Sequence, residues 1–358
     1  MRCSLDIMKN HYYIYCTVAF SLLAGCRMAT SSSSEPGADI SEVCCWNSIV
    51  MSGNGQYLAT VVRGGHLYTS SDGGAKWKDL SIVPDSVIEG NKDWWSIAIS
   101  DDGQKLAAAV EGGHLYTSSD GGAKWKDLSV VPDSVIEGNK NWRSIAMSSD
   151  GSKLAAAVGG GHLYTSEDSG ATWTDRSTGA IADNKDWASV AMSSDGQKLA
   201  AVAKSDHLYT STDGGETWID RSTGTIADDK FWFSIAMSSD GQRLAAVVYY
   251  GHLYTSVNSG ATWTDRNTGT IADNKDWTSV AMSSDGQKLA AVVSNGHLYT
   301  SENSGVTWTD RSTGAIVDNK YWFSIAMSDD GQKLAAVEFD GHLYTSEDSG
   351  VTWINRSE

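Results

Sequence analysis

Residues 277–311 read Trp277-Thr-Ser-Val-Ala-Met-Ser283, Ser284-Asp-Gly-Gln287, Lys288-Leu-Ala-Ala-Val-Val293, Ser294-Asn-Gly296, His297-Leu-Tyr-Thr-Ser301, Glu302-Asn-Ser-Gly-Val306 and Thr307-Trp-Thr-Asp-Arg311. Four short apolar or alternating runs are separated by three turns rich in Gly, Asn, Asp and Ser. That pattern predicts four antiparallel strands in a meander. A sheet this small cannot bury both of its faces by itself.

The unit recurs to the end of the sequence. Ser-(Ile/Val)-x-(Met/Ile)-Ser begins at Ser48, Ser96, Ser144, Ser189, Ser234, Ser279 and Ser324, at spacings of 48, 48 and then four times 45 residues. Seven such units predict an all-β protein, a seven-bladed β-propeller with four antiparallel strands per blade, in which neighbours cover each other's faces. Residues 46–358 are assigned to the propeller, with blade 1 at 46–80 and blade 7 at 322–356. Each unit supplies one whole blade, so blades 1 and 7 are expected to meet by side-chain packing alone.

The third turn carries a family resemblance. Ser301-x-Asn303-x-Gly305-x-Thr307-Trp308 recurs around Asp72, Asp120, Asp168, Asp213, Asn258 and Asp348. It resembles the Asp-box of BNR-type propellers, which include sialidases, sortilin-like receptors, xyloglucanases and photosystem II assembly factors. WD-repeat spacing fits less well, because His297 stands only 11 residues before Trp308. All seven box acceptors are read as structural. A short side chain caps turn N–H groups and Gly takes the positive φ. Asn258 and Asn303 keep the acceptor oxygen and lose the charge, which a catalytic acid, nucleophile or metal ligand tolerates poorly and a hydrogen-bonded turn tolerates well; metal binding by the boxes is the alternative. No metal and no cofactor is expected. The resemblance also puts the Ser-(Ile/Val) strand innermost and opens the second-to-third strand connection on the face opposite the boxes.

Two other repeated residues are read as scaffold. One histidine falls in each unit: His66, His114, His162, His207, His252, His297 and His342. Rings so distributed are too far apart to share a metal. Arg176, Arg221, Arg266, Arg311 and Arg356 also share one position, where blades 1 and 2 carry Leu80 and Leu128.

Function is sought where the units differ. The variable positions lie ahead of the histidine and on either side of the first-strand tryptophan, and both sets are expected on one rim. The candidate ligand-binding residues are Trp95, Arg143, Phe231, Phe233, Tyr249, Tyr250, Tyr321, Phe323, Phe339 and Asp340. Exposed aromatics on a concave rim suggest a glycan or protein ligand. Hydrolysis of the sialidase type would need an arginine cluster beside a tyrosine–glutamate pair. Arg63, Arg143 and Arg243 lie outside the repeat position, and nothing in the sequence gathers them. An assembly factor resembling the photosystem II family would present an arginine-rich face; the rim here is mixed.

The formal net charge is −17, which opposes nucleic acid as partner. Lys9, the apolar run 12–23 and Leu23-Ala24-Gly25-Cys26 resemble a bacterial lipoprotein signal, with residues 1–25 removed, Cys26 lipidated and 26–45 a flexible tether. Membrane contact is then expected only through that anchor, and a secreted protein if Cys26 is not lipidated. All five cysteines precede the repeats, so the fold needs no disulfide framework. Cys44 and Cys45, adjacent and poorly placed to bridge each other, are read either as two small buried residues or as offering a free or intermolecular thiol.

Overall fold

The computed structural model describes residues 38–357 apart from Pro132, Asp133, Thr223, Ala227 and Asp340. Residues 1–25, Cys26 and the rest of the tether up to residue 37 lie outside the described residues. Twenty-eight strands form seven four-stranded antiparallel units. In blade 6 they are Lys275–Met282, Leu289–Gly296, Leu298–Ser301 and Thr309–Asp310.

The second strand is longer than its sequence suggests. It runs through the expected turn at 294–296 because Ser294 and Gly296 pair with Tyr321 and Lys320 of the next blade. The same stitch joins Arg63 to Asp93, Glu111 to Asn141, Gly159 to Asp186, Lys204 to Phe231 and Tyr249 to Asp276. At the junction of blades 7 and 1, Cys45 N donates to Phe339 O at 2.7 Å. The ring is therefore closed by backbone bonding as well as packing, contrary to the expectation for blades 1 and 7.

Period-two alternation sends each second strand into two cores. Ala107 and Ala109 pack toward blade 3, while Leu106, Ala108 and Val110 pack toward blade 1. One core fills each of the seven junctions, built on Trp46, Trp94, Trp142, Trp187, Trp232, Trp277 and Trp322, all at most 1% exposed. Ile40 and Val43 are buried in the core shared by blades 7 and 1, and Ala38 N donates to Trp77 O at 2.7 Å. Residues 38–45 are thus packed against the ring, although they fall in the expected tether. Cys44 and Cys45 are half-buried rather than buried. The Sγ atoms of the two neighbours are 3.6 Å apart.

A second closure lies at the far ends of the first strands. Gly53 N donates to Asp101 O, Asp101 to Ser149, Ser149 to Ser194, Ser194 to Ser239, Ser239 to Ser284, Ser284 to Asp329 and Asp329 back to Gly53, at 2.8–3.2 Å. A Cβ on Gly53 would fall 2.3 Å from an Asp329 carboxylate oxygen. Burial raises the carboxyl pKa of Asp101 on the other side of Gly53, and the Asp329 charge adds to that rise.

The repeated turns hold themselves. Ser346 Oγ donates to Asp348 Oδ1 at 2.9 Å and accepts Gly350 N at 2.9 Å. Asp348 Oδ1 also accepts Thr352 N, and Trp353 Nε1 donates to Gly350 O. Asn303 Oδ1 accepts Thr307 N at 2.8 Å in the same way. Each described histidine of blades 1–6 sets Nδ1 2.6–2.7 Å from an aspartate thirteen residues on, as His66 does with Asp79. Each repeated arginine donates Nε to a third-strand threonine at 2.7 Å, as Arg176 does to Thr165.

Two predictions follow from this scaffold. Gly53→Ser should destabilise the protein by about 1–3 kcal/mol through overpacking, and Asp329→Ser should relieve it, measured as a double-mutant cycle of thermal unfolding. Burial raises the pKa of Asp348, but donors from Thr352 and Ser346 outweigh it and the net shift is downward. Its stabilisation is present above the unfolded pKa and is lost as pH falls through the folded one. Asp348→Asn should leave the neutral-pH melting temperature nearly unchanged and soften its fall on acidification.

Candidate functional site

A bulge in each first strand aims the variable residue that follows the tryptophan. Trp46 pairs with Val62 and Ser48 with Val61, which leaves Asn47 out of register. The same offset falls at Trp95, Arg143, Ala188, Phe233, Thr278 and Phe323. Such bulges redirect side chains. First strands of successive blades touch along the channel, where Ile49 N donates to Ser324 Oγ and Ile145 N to Ser96 Oγ. The bulge residues meet at its mouth. Asn47 Nδ2 donates to Trp95 O at 2.6 Å, and Phe233 reaches Phe323 at 6.2 Å across blade 6, which offers only the small, buried Thr278.

The second variable set is placed by the stitch between blades. Its residues pair directly with those ahead of the next blade's tryptophan, so both sets fall on one rim. In each of blades 1–6 the connection carries a residue at positive φ: Gly64, Gly112, Gly160, Ser205, Tyr250 and Asn295. Tyr250, at φ 59°, is a bulky side chain in a glycine conformation.

One side of the mouth is cationic. Arg63 Nη2 and Arg143 Nη2 reach the two carboxylate oxygens of Glu111 at 2.8 and 2.7 Å. Their guanidinium carbons lie 5.0 and 4.1 Å from the centre of the Trp95 ring. Lys204 Nζ stands 5.8 and 5.6 Å from the rings of Phe231 and Phe233. Burial pushes its ammonium below the ordinary lysine pKa; Asp186 and Glu111 oppose that and Arg143 adds to it. The structure thus gathers Arg63 and Arg143, which the sequence does not. Arg243 lies elsewhere, donating to Ser304 Oγ at 2.9 Å beside the box turns.

The other side is aromatic. Tyr249 contacts Phe231, Phe233 and Tyr250 at centroid distances of 6.0, 5.7 and 4.2 Å, and Phe323 contacts Phe339 at 6.2 Å. Tyr249 is the buried hub of this cluster at 8% exposure, which corrects its expected place among exposed contacts. Tyr250, Tyr321 and Phe231 are exposed. Asp340 lies outside the described residues. Sequence reasoning left out Arg63, Glu111 and Lys204 as ligand-binding candidates. Their signal is position: they occupy the same variable slot as Tyr249.

A tyrosine–glutamate pair does occur, at Tyr344 Oη and Glu338 Oε1, 3.2 Å apart and buried. His342 Nδ1 shares that carboxylate. Glu338 here replaces the histidine's usual aspartate partner, whose position is held by Asn355. This pair belongs to the scaffold of blade 7.

No protein-family model matches the chain, and no curated protein matches it in sequence. Solved structures do match. A structure titled YCF48 bound to D1 peptide is 17% identical with TM-score 0.61, covering 85% of this chain and 93% of that one. YCF48 from Cyanidioschyzon merolae is 16% identical with TM-score 0.62, covering 85% and 95%. The β-propeller domain of Cps50 (Swd1) from Myceliophteria thermophila is 13% identical with TM-score 0.63, covering 85% and 96%. The chain is a β-propeller. At these identities the likeness carries fold and nothing finer.

Tyr250→Gly restores the residue type that blades 1–3 use at this φ. It should raise stability by about 1 kcal/mol by thermal unfolding, since a bulky residue there is strained.

Proposed function

We propose that this propeller is a non-enzymatic binding module of the Asp-box type that holds a protein segment at its channel mouth. The observation that carries this reading is the divided mouth, with Arg63, Arg143 and Lys204 on one side and the Phe231–Phe233–Tyr249–Phe323 wall on the other. A protein segment that sets an acidic side chain beside apolar ones would complement both. A glycan would need free flat ring faces. Trp95 offers little, because two guanidinium groups lie over it. The wall aromatics also pack against one another in tilted and edge contacts. The seven Ser-x-(Asp/Asn)-x-Gly turns support the Asp-box reading through their shared hydrogen bonds. The neighbour whose title records a bound peptide supports a peptide as the ligand class. For hydrolysis, the Tyr344–Glu338 pair is buried and tied to His342 in the scaffold of blade 7. We further propose export with a lipid anchor at Cys26, on the strength of the Leu23–Cys26 motif alone.

The test uses a peptide library beside a glycan array. Arg143→Ala with Phe233→Ala is the control, since blade 4 already carries Ala188 at that bulge position. Acidic–apolar peptides should bind, and the double variant should weaken them on the order of tenfold or more with its melting temperature held. Hits confined to glycans, or peptide binding indifferent to the variant, would overturn the assignment.

A further inference from the structure

Blade 2 departs from the other six on the opposite face, beside its box turn. A cavity of about 340 Å³ opens there between blades 2 and 3. Lys105, Lys124 and Lys126 line it, with Thr117 and Trp125.

The cavity traces to one lost side chain. In blades 3–7 a guanidinium caps the third-strand threonine at 2.7 Å. Those threonines are buried, and Trp173, Trp218, Trp263, Trp308 and Trp353 are at most 9% exposed. In blade 2 the position holds Leu128, which turns inward and is buried; a Cβ on Gly170 would meet it at 2.8 Å. No arginine reaches Thr117, and both Thr117 and Trp125 become half-buried. The indole Nε1 of Trp125 still donates to Gly122 O at 3.1 Å, so the ring carbons are what the cavity meets.

The lysines make no direct ion pair, although Lys105 acts on Asp102 and Asp150 and Lys124 on Asp120 at longer range. Among the described residues none of the three has a carboxylate oxygen within ion-pair distance. The nearest acids are already engaged by turn donors: Asp102 by Ser100 and Gln104 N, Asp120 by Ser118 and Lys124 N, and Asp150 by Ser148 and Ser152. Three ammonium groups thus gather around one cavity, with the ionised Asp102, Asp120 and Asp150 close enough to offset part of their charge. Blade 1 also has Lys76, Lys78 and Leu80, but its version is filled. Tyr57 stands in place of Lys105, its ring lying 2.4 Å from where a Cβ on Gly103 would be, and the backbone of Ala38 covers Trp77, which is 3% exposed.

From this we infer a second binding site, between blades 2 and 3, for a small ligand bearing a sulfate or phosphate ester, with the oxyanion held by Lys105, Lys124 and Lys126 and a C–H face of its body against Trp125. Lysine binds such groups as a point charge, so affinity depends on salt. The site is independent of the channel mouth.

Calorimetric titration of the full chain with glucose 6-sulfate, glucose 6-phosphate and glucose tests it. The two esters should bind and glucose should not; binding of one ester alone identifies the oxyanion. Lys124→Thr, Lys126→Thr and Leu128→Arg together rewrite blade 2 as blades 3, 5 and 6 are written, so the variant has five working precedents for its guanidinium. It should lose at least about tenfold in affinity. Should it fail to fold, Lys105→Gln with Lys124→Gln and Lys126→Gln serves instead. Arg143→Ala should bind the esters unchanged. No ester binding in the wild type, or equal binding in a folded lysine variant, would overturn the inference, and loss in Arg143→Ala would reassign it to the mouth.

Discussion

Each junction of this ring rests on a tryptophan driven between two sheets. Seven indoles are shut off from solvent, each packed on alanines and valines of the preceding blade's second strand. Truncating one such ring typically costs about 3–5 kcal/mol. The small residues opposite matter as much, because they let the sheets approach closely enough for backbone to pair across the seam. Packing and hydrogen bonding therefore lock together at the same seven places.

The scaffold was legible because the sequence writes it seven times. Comparing units exposed the strands, the box turns and the dispensability of the repeated arginine. The histidine could be read as scaffold, yet its aspartate partner thirteen residues on was missed, although Asp79, Asp127, Asp175, Asp220, Asp265 and Asp310 recur in six of the seven units. What one unit could not reveal is anything that joins two. The run 294–296 looks like a turn inside its own repeat and is a strand only because residues 320 and 321 of the next repeat lie beside it.

The candidate site shows the same division. Half of the variable positions coincide with the bulges, where residues left out of register carry no pairing constraint. Exposure did not follow from that. Tyr249 and Tyr250 are neighbours in sequence, yet one is the hub of an aromatic cluster and the other stands in solvent at positive φ. Arg63 and Arg143 are eighty residues apart in the chain and are brought together by Glu111 of the blade between them.

The stitch between blades has a consequence for how such a protein can change. The blade is the unit that duplicates, but the mouth residues sit in pairs across the seams, with one member from each of two blades. A copied blade therefore carries half of two seams to its new location and meets halves it did not evolve beside. The chemistry of the mouth is inherited by adjacency, and reordering blades would set new side chains beside one another without altering a single residue.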